Sequence, residues 1–354
     1  MKNVEMTGTW FPSGERTQGQ EDPETWFFFV RSPPATYEDR AKSLGEKNTC
    51  RHGSCFCFRI LYNVDSMNLK KTVLIVPPND AEAVMIQRIA QQLQLPMIVS
   101  KQSHGASLDK GHDYVSEVRA GDFTHVVVVE MPGPKAEAKL RKLGVKVTLI
   151  DHHHYTGLSR AHDAKGKLLP SSLEQFLKLF RVTDAQMKRW GFDPRLVKGI
   201  GIQDRGYVWS LQDEGYSKAQ IKQVMDFHDS LIAHLRNPKT DARKDRLALD
   251  AWKRKKKWRE FWIISTRADV QLRPKLSRIV VEEIGRPTSM IIVEHGRGLI
   301  YVQESPYALH LFERFGGFTF GLDRNWGYRN DSEKKVTLSD VKRAIDIVHR
   351  KRAV

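Results

Sequence analysis

The sequence predicts an α/β protein in which a parallel-sheet domain is joined by a basic helical linker to a smaller α/β domain. Two observations predict the first domain. Continuous apolar runs such as TVLIVPP, at Thr72–Pro78, alternate with segments of helical periodicity. A fully apolar run is typical of a strand buried on both faces of a parallel sheet. The predicted bounds are 1–70 for an N-terminal extension, 71–235 for the parallel-sheet domain, 236–265 for the linker and 266–354 for the second domain.

The elements of the first domain follow one another from Lys71. The helix AEAVMIQRIAQQLQ follows the first strand, and the short strand PMIVS comes next. A further strand at His125–Glu130 precedes the helix KAEAKLRKLG, whose Gly144 suits a C-terminal cap, and VKVTLID at Val145–Asp151 is the fourth strand. Strands that alternate with helices pair in parallel and gather ligands at their carboxyl ends.

The composition indicates a phosphate-rich partner. Lys and Arg number 58 against 42 Asp and Glu in the 354 residues, a formal net charge of +16. Between Arg236 and Arg278 there are 15 Lys or Arg and 5 Asp or Glu, which places a net charge of +10 within 43 residues. Such local excess favours nucleic acid or an oligonucleotide, because bound phosphates release counterions. Without a long apolar run or a signal peptide, we expect no membrane contact and a cytoplasmic location.

The N-terminal extension carries all three cysteines. Residues 1–70 are rich in Pro, Gly and charge, which predicts a partly ordered segment with two or three short strands. Cys50, His52, Cys55 and Cys57 could hold Zn²⁺, although C-x-H-x2-C-x-C is not a usual ligand spacing. The alternation in FCFRILY also suits an ordinary strand.

Acidic and imidazole side chains follow the predicted strands. They are Asp80, Glu82, Glu130, Asp151, His152, His153, His154 and, after the apolar run KGIGIQ, Asp204. Carboxylates crowded at one sheet edge would repel unless a cation neutralised them, so the pattern predicts a metal cluster that suits Mn²⁺ or Mg²⁺. Taken singly, Asp80 could cap a helix, Glu130 could be a solvated residue, and Asp204 could pair with Arg205. The whole set, rather than any member, favours the metal.

The segment LIDHHHY resembles the signature of the DHH phosphoesterases, a family that includes RecJ-like exonucleases, nano-RNases and cyclic-dinucleotide phosphodiesterases. The resemblance extends from about residue 72 to the C-terminus. VPPNDAEA is similar to the family's first motif, and PSSLEQF to the helix after the third motif, where Ser171 and Glu174 are spaced as a capping box. The resemblance implies metal ligands at Asp80, Glu82, Glu130, Asp151, His152 and Asp204. It implies catalytic roles for Asp151, His152 and His153.

The chain departs from the family pattern at three positions of this site. Val76 stands where the first motif has a histidine, and Glu82 and Glu130 replace the shorter aspartates. One metal position would keep Glu82, Glu130, His152 and Asp204, whereas the other would rest on Asp80 and a shared Glu130. The sequence therefore predicts one competent metal position and one weak one.

The linker and the second domain supply the predicted substrate contacts. The segment ARKDRLALDAWKRKKKWREFW is interpreted as a helix whose basic run and aromatic residues could bind nucleic acid, although such a run is usually a solvated face. The segment RFGGFTFG resembles the glycine-rich loop of the family's DHHA1 module, with Phe318 at the histidine position; a tight turn is the alternative. The predicted substrate-binding residues are Lys253, Arg254, Lys255, Lys256, Lys257, Arg314, Gly316 and Gly317.

Two functions follow as hypotheses. The favoured one is a metal-dependent phosphodiesterase or exonuclease acting on single-stranded or short nucleic acid, because an acid is retained at every acidic position. The alternative is a catalytically degenerate protein that binds nucleic acid or a nucleotide as a sensor or assembly partner. The missing histidines, at Val76 and Phe318, favour the alternative.

Overall fold

The computed structural model describes residues 68–103, 105–153, 169–331 and 333–352. The predicted zinc ligands Cys50, His52, Cys55 and Cys57 lie outside the described residues, as do His154 and nearly all of the N-terminal extension. Within the described part of the chain, no helix has the length and apolar content that a membrane span needs.

The first domain is built on a four-stranded parallel sheet of order β2-β1-β3-β4. Its strands and their connecting helices are β1 Thr72–Val76, α1 Ala81–Gln92, β2 Met97–Val99, α2 Tyr114–Ala120, β3 His125–Val129, α3 Pro134–Lys142 and β4 Lys146–Ile150. Strands β1 and β3 are buried along their whole length, as expected of Val- and Ile-rich strands covered on both faces. The predicted fold class is confirmed.

A helical layer completes the first domain and leads to the second. Its members are α4 Ser172–Leu179, α5 Asp184–Arg189, α6 Pro194–Asp213, α7 Lys218–Leu231 and α8 Pro238–Lys253. The capping box predicted at Ser171 and Glu174 is confirmed: the Ser171 hydroxyl accepts from the Glu174 amide at 3.2 Å, and the Glu174 carboxylate accepts from the Ser171 amide at 2.8 Å. Helix α4 begins beside the carboxyl end of the sheet, where the Gln175 side chain donates to the Asp151 carbonyl at 2.9 Å.

The second domain contains a six-stranded mixed sheet of order β5-β6-β7-β8-β10-β9. Its elements are β5 Lys256–Trp258, β6 Phe261–Thr266, α9 Arg273–Glu283, β7 Met290–Glu294, β8 Leu299–Gln303, α10 Ala308–Phe315, β9 Phe318–Phe320, β10 Asn325–Arg329 and α11 Leu338–Arg352. Strands β6 and β7 are parallel, and the other pairs are antiparallel.

The helix predicted to run through the basic segment ends at Lys253, and that part of the prediction is wrong. The chain turns at Arg254 and continues as β5, which pairs antiparallel with β6. Phe261 is fully buried in the core of the second sheet, and the Trp258 ring stacks on it with centroids 5.8 Å apart. Pairing with the buried strand outweighs the helical propensity of the lysine run, because propensity is a weak local term.

Candidate metal centre and cleft

Two acids of the candidate site lie at the start of α1. Asp80 is the N-cap of this helix, and its carboxylate accepts from the Ala83 amide at 2.8 Å. Glu82 lies in the first turn and is only 2% exposed. Its Oε1 atom accepts from the amide of Leu173 at 2.9 Å, which anchors the carboxylate to the N-terminus of α4.

Glu130 reaches the same place from the end of β3. Its φ of 49° lies in the left-handed region, which costs a non-glycine residue roughly 1–2 kcal/mol. The Ser172 hydroxyl donates to Glu130 Oε1 at 2.7 Å and fixes the carboxylate in the site. Strained backbone of this kind persists where the surrounding structure determines it, commonly at functional sites.

The DHH segment follows β4 directly. His152 is 2% exposed, and its ring lies among three acids. Its Nδ1 atom is 3.5 Å from Glu130 Oε1 and 3.8 Å from Glu82 Oε2, and its Nε2 atom is 3.3 Å from Asp204 Oδ2. His153 turns instead to Asp151, with Nδ1 at 2.9 Å from Asp151 Oδ1 and 3.9 Å from Glu130.

Asp204, which the sequence places after a short apolar run, reaches the site on a helix. It lies within α6, just before Gly206 and Tyr207 interrupt the helix; Tyr207 has a φ of 61°. The run KGIGIQ has few long apolar residues, but tertiary packing makes it helical. Gly201 permits this packing, since a Cβ there would lie 2.3 Å from the Ser171 hydroxyl and 3.4 Å from a Glu82 oxygen.

Burial and mutual repulsion raise the pKa values of the clustered acids. The pKa of Glu82 lies well above its ordinary value because of burial and the charges of Asp204 and Glu130. Burial and the charge of Asp204 raise the pKa of Glu130 to about 8. Burial and Asp80 raise the pKa of Asp204 to about 7. A divalent cation bound among these carboxyl groups would stabilise their ionised forms.

The ligand chemistry fits a hard divalent cation. One oxygen or nitrogen atom from each of Glu82, Glu130, His152 and Asp204 lies within 4.8 Å of all the others. Glu130, His152 and His153 form an overlapping group of the same kind. Three carboxylates and an imidazole suit Mn²⁺ or Mg²⁺. Asp80 and Asp151 belong to neither group; they cap α1 and hold His153, respectively.

We call the group formed by Glu82, Glu130, His152 and Asp204 the acidic centre. It opens into a cavity of about 680 Å³ between the two domains. Glu82, His152, His153 and Asp204 line one side. The other side comes from the second domain and includes Arg273, Arg297, Tyr301, Gln303, Phe318, Phe320 and Arg329. Sequence reasoning had not identified Arg273, Tyr301 or Phe320, because no local motif marks them and only the fold brings them to the centre.

The predicted glycine loop packs against its own sheet. Gly316 and Gly317 have φ values of 75° and 89° and connect α10 to β9. A Cβ on Gly317 would lie 2.3 Å from the Gly327 carbonyl oxygen, and the Gly316 carbonyl accepts from Trp326 Nε1 at 2.9 Å. Arg314 lies over the Phe315 ring. These three residues do not line the cavity, so the geometry favours the tight turn.

The predicted basic residues also lie away from the cavity. Lys253 ends α8, Arg254 and Lys255 form the turn, and Lys256 and Lys257 belong to β5 at the edge of the second sheet. Lys255 and Lys257 contact the Trp262 ring, with Nζ atoms 5.3 and 4.5 Å from its centroid. The five residues form one exposed to half-buried surface, called here the basic edge.

No protein-family model matches the chain, and no curated protein matches it. Several solved structures do. The pGpG-specific phosphodiesterase PggH from Vibrio cholerae is 9% identical with a TM-score of 0.37, and the match covers 79% of this chain and 98% of that one. RecJ with Mg²⁺ from Thermus thermophilus is 13% identical with a TM-score of 0.38, covering 79% and 50%. Exonuclease RecJ bound to manganese is 15% identical with a TM-score of 0.33, covering 73% and 86%.

The three TM-scores are 0.38 or less and the three identities 15% or less, and the activities named for those structures are those of the matched proteins.

Proposed function

We propose that this chain is a divalent-metal-dependent phosphodiesterase that acts on single-stranded or short nucleic acid. The convergence of Glu82, Glu130, His152 and Asp204 within 4.8 Å, at the wall of an interdomain cavity, carries the proposal. Mn²⁺ or Mg²⁺ held there would polarise a phosphoryl group and generate a nucleophile from water near neutral pH.

The protein groups have distinct tasks in this proposal. Glu82 and Glu130 are anchored by hydrogen bonds from Leu173 and Ser172, so they would hold the cation without rearranging. His153 lines the cavity and would bind a phosphate oxygen, and Asp151, whose Oδ1 atom is 2.9 Å from His153 Nδ1, would keep the ring in position.

The second candidate is a binding protein without catalysis. Val76 is fully buried at the end of β1 and supplies no ligand, and Asp80 is engaged as a helix cap. Both observations weaken the second metal position that in-line phosphoryl displacement at a two-metal site would use. The cleft would then bind a nucleotide or oligonucleotide as a sensor.

Hydrolysis assays separate the two candidates. End-labelled single-stranded DNA, RNA and dinucleotides are incubated with the full chain and Mn²⁺, Mg²⁺ or EDTA, beside Asp204→Asn. The matched control is Asp226→Asn, an exposed aspartate on α7 paired with Lys222. Cleavage that requires the metal and is lost only in Asp204→Asn supports the phosphodiesterase. A folded chain that binds these ligands but cleaves none of them supports the second candidate.

A further inference from the structure

A histidine outside the acidic centre also lines the cavity. His228 belongs to α7, and its half-buried ring borders the cavity on the first-domain side, as Asp204 does. Burial raises the pKa of Asp204, and the charge of His228 opposes that rise, so the two side chains lie within electrostatic range of each other. In the part of the chain that the structure describes, His228 makes no ion pair with an acid of the acidic centre. It therefore lies beside the predicted metal position without being one of its ligands.

Asp229 fixes the orientation of this ring. Its Oδ1 atom lies 3.3 Å from His228 Nδ1 and accepts from Arg236 Nη2 at 3.0 Å, and its Oδ2 atom pairs with Arg278 Nη1. Burial would raise the pKa of Asp229, but the hydrogen bonds from His228 and Arg278 and the charges of the two arginines hold it below its ordinary value. Since an ionised carboxylate can only accept, the proton between the two side chains belongs to Nδ1. Within the described residues, Nε2 of His228 makes no hydrogen bond.

Side chains from both sides of the domain boundary hold this pair. Arg236 follows α7, whereas Arg278 lies on α9 of the second domain. Proton-transferring histidines commonly have one ring nitrogen held by an anchored carboxylate, because the carboxylate fixes the ring and stabilises the imidazolium. The geometry of His228 therefore suits proton transfer, and it depends on contact between the two domains.

Two other ionisable groups of the cavity could donate a proton. Burial raises the pKa of Tyr207 above its ordinary value, so its hydroxyl is a weaker acid than that of a free tyrosine. Burial raises the pKa of Glu304 to about 7, although the charge of Arg324 and a hydrogen bond from Asn325 favour its ionised form. Glu304 follows β8 of the second domain, whereas the acidic centre belongs to the first. Position and hydrogen bonding therefore favour His228.

We propose that His228 is a catalytic residue that protonates the leaving oxygen of the scissile phosphodiester, and that Asp229 is its positioning residue. The oxygen of the attacking water forms its bond to phosphorus and releases a proton to solvent, while the bond from phosphorus to the leaving oxygen breaks. The electron pair of that bond stays on the leaving oxygen, which takes the Nε2 proton of His228. The imidazole is then neutral and regains its proton from solvent. This inference rests on the proposed function for the reaction itself.

Sulfur substitution in the substrate tests this role in the full chain with Mn²⁺. Two dinucleotides carry sulfur in place of the 3′ or the 5′ bridging oxygen, and they are compared with the unmodified dinucleotide. A sugar alkoxide needs a proton as it leaves, whereas a thiolate leaves without one. His228→Gln is expected to lower kcat for the unmodified dinucleotide roughly 100-fold or more, with little change in KM. Its kcat for the dinucleotide with sulfur in the leaving position should fall less than about tenfold.

Three further variants serve as comparisons, and thermal melting checks the folding of each. His234→Gln removes an exposed histidine that does not line the cavity and should match the wild type. Asp229→Asn should lose activity with the same preference for the sulfur-containing substrate, but to a smaller extent, because the imidazole remains. Glu304→Gln should affect the oxygen and sulfur substrates alike. A loss confined to the oxygen substrate in Glu304→Gln, rather than in His228→Gln, would assign the proton to Glu304 and overturn the inference.

Nitrogen-15 NMR of the metal-free chain with labelled histidines gives a readout that is independent of activity. The His228 signals are assigned by their absence in His228→Gln. The wild type should have a proton on Nδ1 of His228, and Asp229→Asn should shift the Nδ1 resonance. A proton on Nε2 alone, with no change in Asp229→Asn, would contradict the proposed orientation of the ring.

The outcomes separate this inference from the proposed function. If the wild type cleaves no phosphodiester with Mn²⁺, the proposed function fails and the inference fails with it. If the wild type cleaves the dinucleotide, and folded His228→Gln keeps its activity or loses it equally on the oxygen and sulfur substrates, only the inference fails.

Discussion

At the scale of single residues, the acidic centre contains carboxylates whose ionised forms are disfavoured by burial and by the charges of their neighbours. Glu130 combines a left-handed backbone with a carboxyl whose pKa is raised to about 8, and Asp204 has a pKa raised to about 7. Both features cost free energy in the folded chain and persist because neighbouring groups impose them. We infer that these features lower the free energy of unfolding when no cation is bound, and that a cation would complete the site.

Without a cation, the folded chain should lose stability as the pH rises. An acid with a raised folded-state pKa binds its proton more tightly when folded, so its contribution is present below the unfolded value near 4.5 and is lost as pH rises to about 8. In EDTA we expect Tm to fall by roughly 5 °C or more between pH 5.5 and 8. Differential scanning calorimetry provides the measurement.

The matched variant for this prediction is Glu130→Gln. It keeps the shape of the side chain but removes the ionisable group, so its Tm in EDTA should vary less with pH. Mn²⁺ should raise the wild-type Tm at pH 8 and should raise that of the variant less. A wild-type Tm that is independent of pH and of Mn²⁺ would show that the pKa values of these acids are not raised by folding and that the site does not bind Mn²⁺.

At the scale of elements, α6 reaches the centre through a close contact with the N-terminus of α4. A Cβ at Gly201 would lie 2.3 Å from the Ser171 hydroxyl. Gly201→Ala is therefore expected to lower the free energy of unfolding by roughly 1–3 kcal/mol, measured by urea denaturation. In the double variant with Ser171→Ala the combined loss should be smaller than the sum of the single losses. Additive losses would locate the strain elsewhere.

The basic edge is the second element with a testable role. Lys255 and Lys257 lie beside Trp262 on the edge of the second sheet, away from the cavity. Replacing both by glutamate should weaken oligonucleotide binding roughly tenfold and lower the slope of log K against log salt by about 2 or more. Filter binding at several salt concentrations measures both quantities. The same reversal at Lys139 and Lys142, which are exposed on α3, should change neither, and equal effects at both places would indicate a general charge effect.

At the scale of the whole molecule, the two domains share a core. Val208, Trp209 and Met225, from α6 and α7, belong to the same apolar cluster as Trp252 of α8 and as Leu276 and Ile292 of the second domain. Ion pairs reinforce this contact: Arg278 pairs with Asp229, and Arg324 Nη2 is 3.2 Å from Asp213. Buried packing and ion pairs thus join the two domains.

Cooperative unfolding of the two domains follows from this shared core. Trp209 is 5% exposed, and Trp209→Ala should cost roughly 3–5 kcal/mol. We expect tryptophan fluorescence and far-ultraviolet circular dichroism to give coincident transitions in the wild type, and both midpoints to fall together in the variant. A variant in which one transition moves and the other stays would show that the domains unfold independently.

The sequence by itself determined the parallel sheet and the position of the DHH segment at its carboxyl edge. Apolar runs such as Thr72–Val76 are typical of buried strands, and a buried strand followed by Asp151, His152 and His153 places polar groups at the sheet edge. Both signals are local in the chain. The capping box at Ser171 is local as well, and all of these predictions agree with the described structure.

The tertiary structure alone decided the remaining features. It placed Asp204 on an interrupted helix, turned the basic run into an edge strand, and brought Arg273 to the cavity wall. None of these has a local signal, because each depends on contacts between segments far apart in the chain. Packing against a distant partner contributes more free energy than local propensity, which supplies only a fraction of a kcal/mol per residue. The candidate ligands of the acidic centre could therefore be predicted from the sequence, whereas the second-domain side of the cavity that faces them could not.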